Sequence, residues 1–268
     1  MLSSRRSRSL QGQAVVCAKT LTRIETLDDF SDWLQVPGPW VAGLDLPFAL
    51  PREFLQTVGW PHASWQEHIR HLQSLSREQM VSQFKAFCDA RPAGGKFAHR
   101  ACDKPADSSP SMKWVNPPVA YMLHAGATRL NDAAIHIPLL NETFANKVAL
   151  EAYPGFFARS VIGRGSYKSD DPAKQDDARF EQRKALIAAM EDGRNSLSLA
   201  VQFDAHIKEQ ALSDASGDCV DACICMMQAA WGLQRAEQGY GLPPDADRIE
   251  GWIVSVPFIS GNFAKTLK

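Results

Sequence analysis

The chain has 268 residues, 45% of them hydrophobic and 22% charged, with 29 Lys and Arg against 30 Asp and Glu for a formal net charge of −1. That length can bury a substantial core as one domain or one domain with an insertion, and the charge balance argues against a dedicated nucleic-acid binder, which carries a clear basic excess. No apolar run approaches the roughly 18–20 residues that span a bilayer and no hydrophobic signal-peptide core follows the start, so a cytoplasmic protein without membrane contact is expected.

The opening MLSSRRSRSL is Ser/Arg-rich and lacks acids, but it is short and not visibly amphipathic, so it reads weakly as a targeting segment. The stretches QAVVCA (13–18) and TLTRI (20–24) read as two strands joined by a turn, followed by a short helix at 27–35 that Pro37-Gly38-Pro39 stops. WVAGLDLPFALP (40–51) is an apolar run whose one charge is Asp45. Such a run, stopped by prolines, suits a strand buried on both faces in the middle of a mixed sheet. A lone charge at its end needs a reason: Asp45 either caps the proline-containing loop or belongs to a site.

Ser64-Trp65-Gln66-Glu67 and Ser76-Arg77-Glu78-Gln79 fit the capping box and announce helices over about 65–73 and 77–89. The segment from 90 to 119, ARPAGGKFAHRACDKPADSSPSMKWVNPPV, shows little pattern and is longer than a mere connector. It carries Lys96, His99, Arg100, Asp103, Lys104 and Lys113 with Trp114, which makes it either a solvated charged loop or the best local candidate for contact with a polyanion. KVALEAYP (147–154) resembles another core strand, again with one acid, Glu151, and again closed by proline. The Gly163-Arg164-Gly165 loop with Lys168 could touch phosphate, although a G-x-G alone is weak. Helices follow at about 177–192 and 197–212, and GWIVSVP near the end reads as a closing strand.

The six cysteines (17, 88, 102, 219, 223 and 225) contain no C-x-x-C pair and read as small buried hydrophobes. SGDCVDACICMMQAAWG (216–232) opens a long helix with two acids. A separation of three residues puts Asp218 and Asp221 on one helix face, about 5–6 Å apart at Cβ. The bland reading is helix capping at Gly217-Asp218. The other is that acids at the ends of adjacent central strands, facing a helix with two more, converge and require cations. Mg²⁺ or Mn²⁺, which prefer oxygen ligands, serve phosphodiester hydrolysis in that setting.

In order along the chain, PGPWVAGLDLPFALPRE, FAHRACDKPADSSPSMKWVNPPVAYML, VALEAYPGFFARSVIGRGSYKSD, SGDCVDACICMMQAAWG and EGWIVSVP resemble the successive signature blocks of a bacterial family of unknown function grouped with predicted RNase H-like nucleases. The resemblance covers about residues 10–257. It implies an α/β fold with a five-stranded mixed sheet flanked by helices, here as a single domain over 1–268 with a large, mostly helical insertion at about 52–146. It also implies a metal-dependent nuclease or phosphodiesterase, with Asp45 as the acid of the fourth strand, Glu151 on the fifth, and Asp218 and Asp221 on the last helix. Asp45, Asp218 and Asp221 would hold Mg²⁺ or Mn²⁺, and Glu151 would be a fourth ligand or an orienting group. Arg100, Asp103, Lys113 and Lys168 would border the cleft and act on substrate, a nucleic acid or a small phosphodiester. One departure stands out: the family's first strand carries an aspartate, and Met1 stands where it would fall. On that reading the present chain is short, residues 1–10 are poorly ordered and the hairpin at 13–24 is a frayed edge. The alternative is a catalytically silent module of the same fold that binds a nucleotide, a nucleic acid or a protein. A serine or cysteine hydrolase has little support, because no G-x-S-x-G elbow is present.

Overall fold

A computed structural model describes the backbone of residues 6–8 and residues 14–258 in full. The elements in chain order are β1 (Arg6–Arg8), β2 (Ala14–Ala18), α1 (Leu27–Leu34), β3 (Trp40–Leu44), α2 (Arg52–Val58), α3 (Trp65–Gln73), α4 (Arg77–Asp89), α5 (Asp103–Ala106), α6 (Val119–Asp132), β4 (Lys147–Glu151), α7 (Pro154–Ile162), α8 (Asp177–Asp192), β5 (Ala200–Phe203), α9 (Ala205–Ser213) and α10 (Asp218–Leu233). The chain is therefore mixed α/β. Among the described residues the strands form two ladders, β1-β2-β5 and β3-β4, and not the single five-stranded sheet expected. β1 runs antiparallel to β2, whereas β2 with β5 and β3 with β4 are parallel. The expectations for the first ten residues fall largely outside the described part.

The capping signals place the helices well. Ser76 accepts from Gln79 N while the Gln79 side chain accepts from Ser76 N, a complete capping box. At α3 only half of it forms: Ser64 Oγ accepts from Glu67 N, but the Glu67 carboxylate accepts from Ala63 N. Three expected elements need correction. Residues 20–24 form no strand, because β2 takes β1 and β5 as its neighbours. GWIVSVP does not extend either: Gly251 and Ser255 have φ of 67° and 70°, which breaks any strand between them. It meets β4 through Val254 N donating to Glu151 O at 2.8 Å. Conversely, Ala200–Phe203, expected as helix, pairs with β2 before Asp204 starts α9.

The residues between β3 and β4 supply most of the main core, in which Phe48, Phe54, Trp65 and Phe84 are buried. A second core lies among β2, β5, α8, α9 and α10, around Leu186, Leu199 and Ile224. α3 carries one oddity into the main core. His68 is fully buried and neither ring nitrogen makes a hydrogen bond. Burial pushes its pKa down to about 4, with the nearby Ser64 backbone working the other way. The unfolded chain therefore binds a proton below pH 6.5 that the folded chain refuses until about pH 4. Stability is present above 6.5 and lost as pH falls through 4, by about 3 kcal/mol from this group. Urea denaturation of His68→Leu should show a flatter acid limb with no loss at pH 7, since an unsatisfied polar ring is removed. An unchanged pH slope would place the acid sensitivity elsewhere.

Candidate functional site

β3 and β4 run parallel with Leu44 opposite Glu151, so Asp45 and Glu151 emerge at the same, carboxyl end of both strands. In open α/β sheets that end is where ligands bind. α10 packs across β3, and the close approach depends on Gly43: a Cβ there would lie 2.4 Å from the Cys225 carbonyl oxygen of α10. Gly43→Ala should therefore cost roughly 1–3 kcal/mol, read by urea denaturation, by forcing helix and strand apart. A variant as stable as the parent would mean that the contact is soft.

The helix starts at Gly217, as the sequence suggests, with Asp218 and Asp221 in its first turn. Gly217 is required twice, because its φ is 78° and a Cβ would fall 2.6 Å from the Lys168 Cβ. Lys168 thus lies against the helix start, where its ammonium pairs with Asp221 Oδ2 while Tyr167 OH donates to Asp221 Oδ1. Asp221 is buried, whereas Asp218 and Lys168 are exposed. Burial pushes the Asp221 carboxyl up, opposed by Lys168 and Tyr167. Burial disfavours the Lys168 charge, yet Asp221 and Asp45 outweigh it and hold the ammonium protonated.

Asp45 is exposed, yet protein crowds its carboxyl group. Its carboxyl is pushed up to about 7, first by that enclosure and then by the charge of Asp221; Lys168 opposes the rise, and Glu151 and Asp218 add to it. The four acids singled out in the sequence therefore sense one another electrostatically at Asp45. Among the described residues, however, no three His, Cys, Asp or Glu side chains are grouped as they would be around a metal ion.

Glu151 faces a different partner. It accepts both guanidinium nitrogens of Arg100, at 2.6 and 2.7 Å, and the Phe48 amide at 3.0 Å. Phe48 O in turn accepts from the Trp65 indole at 2.8 Å, so the turn that follows Asp45 is pinned from both sides. Arg100 and Asp103, expected on an exposed loop bordering the cleft, are instead buried, 2% and 0% exposed. Asp103 accepts from Arg100 Nη2 at 3.0 Å and from its backbone N at 2.9 Å. The correction has a plain cause: Asp103 begins a short helix, and the three side chains satisfy one another inside the protein. Lys113 is partly buried and makes no ion pair among the described residues. Residues 91–104 instead line a separate cavity that includes Lys96, His99, Arg100 and Lys104.

Sequence reasoning missed Tyr167, which holds Asp221, and Glu250, which accepts from Arg52 N at 2.7 Å and Ala101 N at 2.9 Å. Tyr167 had one signal, its place beside Lys168.

Residues 9–248 match the family described as "Protein of unknown function (DUF429)". The chain belongs to that family. The signature blocks from PGPWVAGLD to SGDCVDACI lie within the matched span, whereas EGWIVSVP lies just beyond it. No curated protein and no solved structure matches the chain. Among the described residues no helix is long and apolar enough to cross a membrane.

Proposed function

We propose that this DUF429 member is an RNase H-like hydrolase of phosphodiester bonds that works with Mg²⁺ or Mn²⁺ at Asp45, Asp218 and Asp221. The observation that carries the reading is Asp45, an acid at the carboxyl end of two parallel strands whose pKa is raised to about 7 beside further acids. Burial contributes most to that rise and repulsion by Asp221 comes next, and a divalent cation relieves both. The missing three-acid cage does not argue against Mg²⁺, which binds through one or two carboxylates and takes the rest of its shell from water and substrate phosphate. Asp45 and the exposed Asp218 offer such oxygens. When bound, the cation supplies neutralisation of the phosphate and acidification of the attacking water.

The chain's own residues then have distinct tasks. Asp45 gives up its proton when the cation arrives, so binding weakens as pH falls below about 7. Lys168 and Tyr167 hold Asp221 in place, and Lys168 is positioned to meet a phosphate oxygen. Glu151 acts through the Phe48 amide, keeping the turn that carries Asp45. One observation favours the alternative, a catalytically silent binding module: both oxygens of Asp221 are already engaged. Thermal melts with Mn²⁺, run beside cleavage of labelled DNA, RNA and a nitrophenyl phosphodiester, decide between them. A melting temperature raised by Mn²⁺ together with cleavage supports the hydrolase. A raised melting temperature without cleavage supports the silent module, and no response to Mn²⁺ removes the metal site.

A further inference from the structure

We infer that the cavity between the start of α2 and the loop that follows α4 is a binding site for a phosphate monoester of up to mononucleotide size, separate from the acids around Asp45. The cavity has a volume of about 580 Å³ and is lined by Glu53, Arg91, Lys96, His99, Arg100 and Lys104, with the Phe97 ring and the Gly94-Gly95 turn completing its wall. That volume lies within the range of small-molecule sites.

The charges in it are not equivalent. Arg100 is committed to Asp103 and Glu151, and Arg91 to Glu53 and to the Gly95 carbonyl at 2.5 Å. Lys96 and Lys104 are exposed and have no carboxylate partner among the described residues. Two uncompensated ammonium groups at a concavity, in a chain of net charge −1, attract anions locally in a way the overall balance conceals. His99 senses the same field: burial lowers its pKa first, and the charges of Lys104 and Arg91 lower it further against Asp103. A compact dianion neutralises two ammonium groups, and lysine binds phosphate as a point charge.

The wall is also braced. Gly94 turns the chain at φ 88°, Gly95 N donates to Pro92 O at 3.1 Å, and Arg91 holds Gly95 O from the other side. A loop tied this way loses little freedom on binding, which favours affinity. The Lys96 ammonium lies 5.9 Å from the Phe97 ring centre and 5.6 Å from that of Trp114, which stacks edge-on to Phe97. The half-buried Phe97 gives the cavity one apolar wall. A nucleoside would use that wall and inorganic phosphate would not.

The test is calorimetric titration of the full chain, in EDTA to keep the acid site out of the readout, with inorganic phosphate, adenosine 5′-monophosphate and a short single-stranded oligonucleotide. Both small probes should bind in a saturable 1:1 manner, the nucleotide more tightly. Lys96→Ala and Lys104→Ala should each weaken binding about tenfold, as for the loss of one charge-assisted hydrogen bond. Lys184→Ala, on the exposed face of α8 and outside the cavity, should leave it unchanged. Both lysines are exposed, so thermal melts should show that the variants fold as the parent does. Undiminished binding in the Lys96→Ala/Lys104→Ala double variant, or equal weakening by Lys184→Ala, would overturn the site. Binding of the oligonucleotide alone would overturn the monoester and make the cavity a strand contact.

Discussion

Replacing Arg100 with Ala is expected to lower the unfolding free energy by about 3–5 kcal/mol, the usual cost of removing one partner from a buried ion pair. Arg100, Asp103 and Glu151 are 2%, 0% and 5% exposed, and the guanidinium bridges both carboxylates. Without it, two acids are left buried and uncompensated, with Glu250 close behind them at Arg52 N and Ala101 N. Urea denaturation at pH 7 would read the loss as a lower midpoint at unchanged slope. The effect should reach Asp45 as well. Glu151 already helps push the Asp45 carboxyl up, and an unpaired Glu151 would push it further, so the pH dependence of Mn²⁺ binding in the variant should move to higher pH. A loss below about 1 kcal/mol would mean that the pair is solvated like a surface bridge.

Arg100 also shows where sequence reading stopped. In FAHRACDKP the arginine stands among His99, Asp103 and Lys104, and nothing in one dimension tells a buried guanidinium from a solvated one. The distinction depends on Glu151, 51 positions away, whose carboxylate meets Arg100 only once β4 is in place. The helices at 65–73 and 77–89 were legible because their capping signals are local, within one turn of the start. Asp45 and the Asp218/Asp221 pair were legible for a related reason: a charge at the edge of an apolar run is a local contradiction. Strand partners were not, since β2 chooses β1 and β5, and a strand as short as Ala200–Phe203 lies between two helices with no alternation long enough to mark it. The cations of the 90–119 segment were visible as a group, but which of them are paired was decided by tertiary structure: Arg91 and Arg100 are matched, whereas Lys96 and Lys104 have no carboxylate partner among the described residues.

Asp45→Asn should separate stability from function at the acid site. In the metal-free protein the raised pKa means that the folded chain holds a proton on Asp45, between 3.8 and about 7, that the unfolded chain has released. The stability this contributes is present below 3.8 and is lost as pH rises through 7, so at pH 8 Asp45 is an ionised acid facing other acids at a cost to the fold. Asparagine is nearly the same size and carries no charge. The variant should match the parent's melting temperature at or below pH 3.8, and exceed it by a margin that grows up to about pH 7 and persists at pH 8 without metal. Adding Mn²⁺ at pH 8 should raise the parent toward the variant and leave the variant where it was. Cleavage should fall by about 10²–10³-fold in the variant, the equivalent of losing several kcal/mol of charge stabilisation. A variant less stable than the parent at pH 8 would make Asp45 a structural acceptor that caps the loop after β3. A Mn²⁺ response equal in both proteins would place the cation elsewhere.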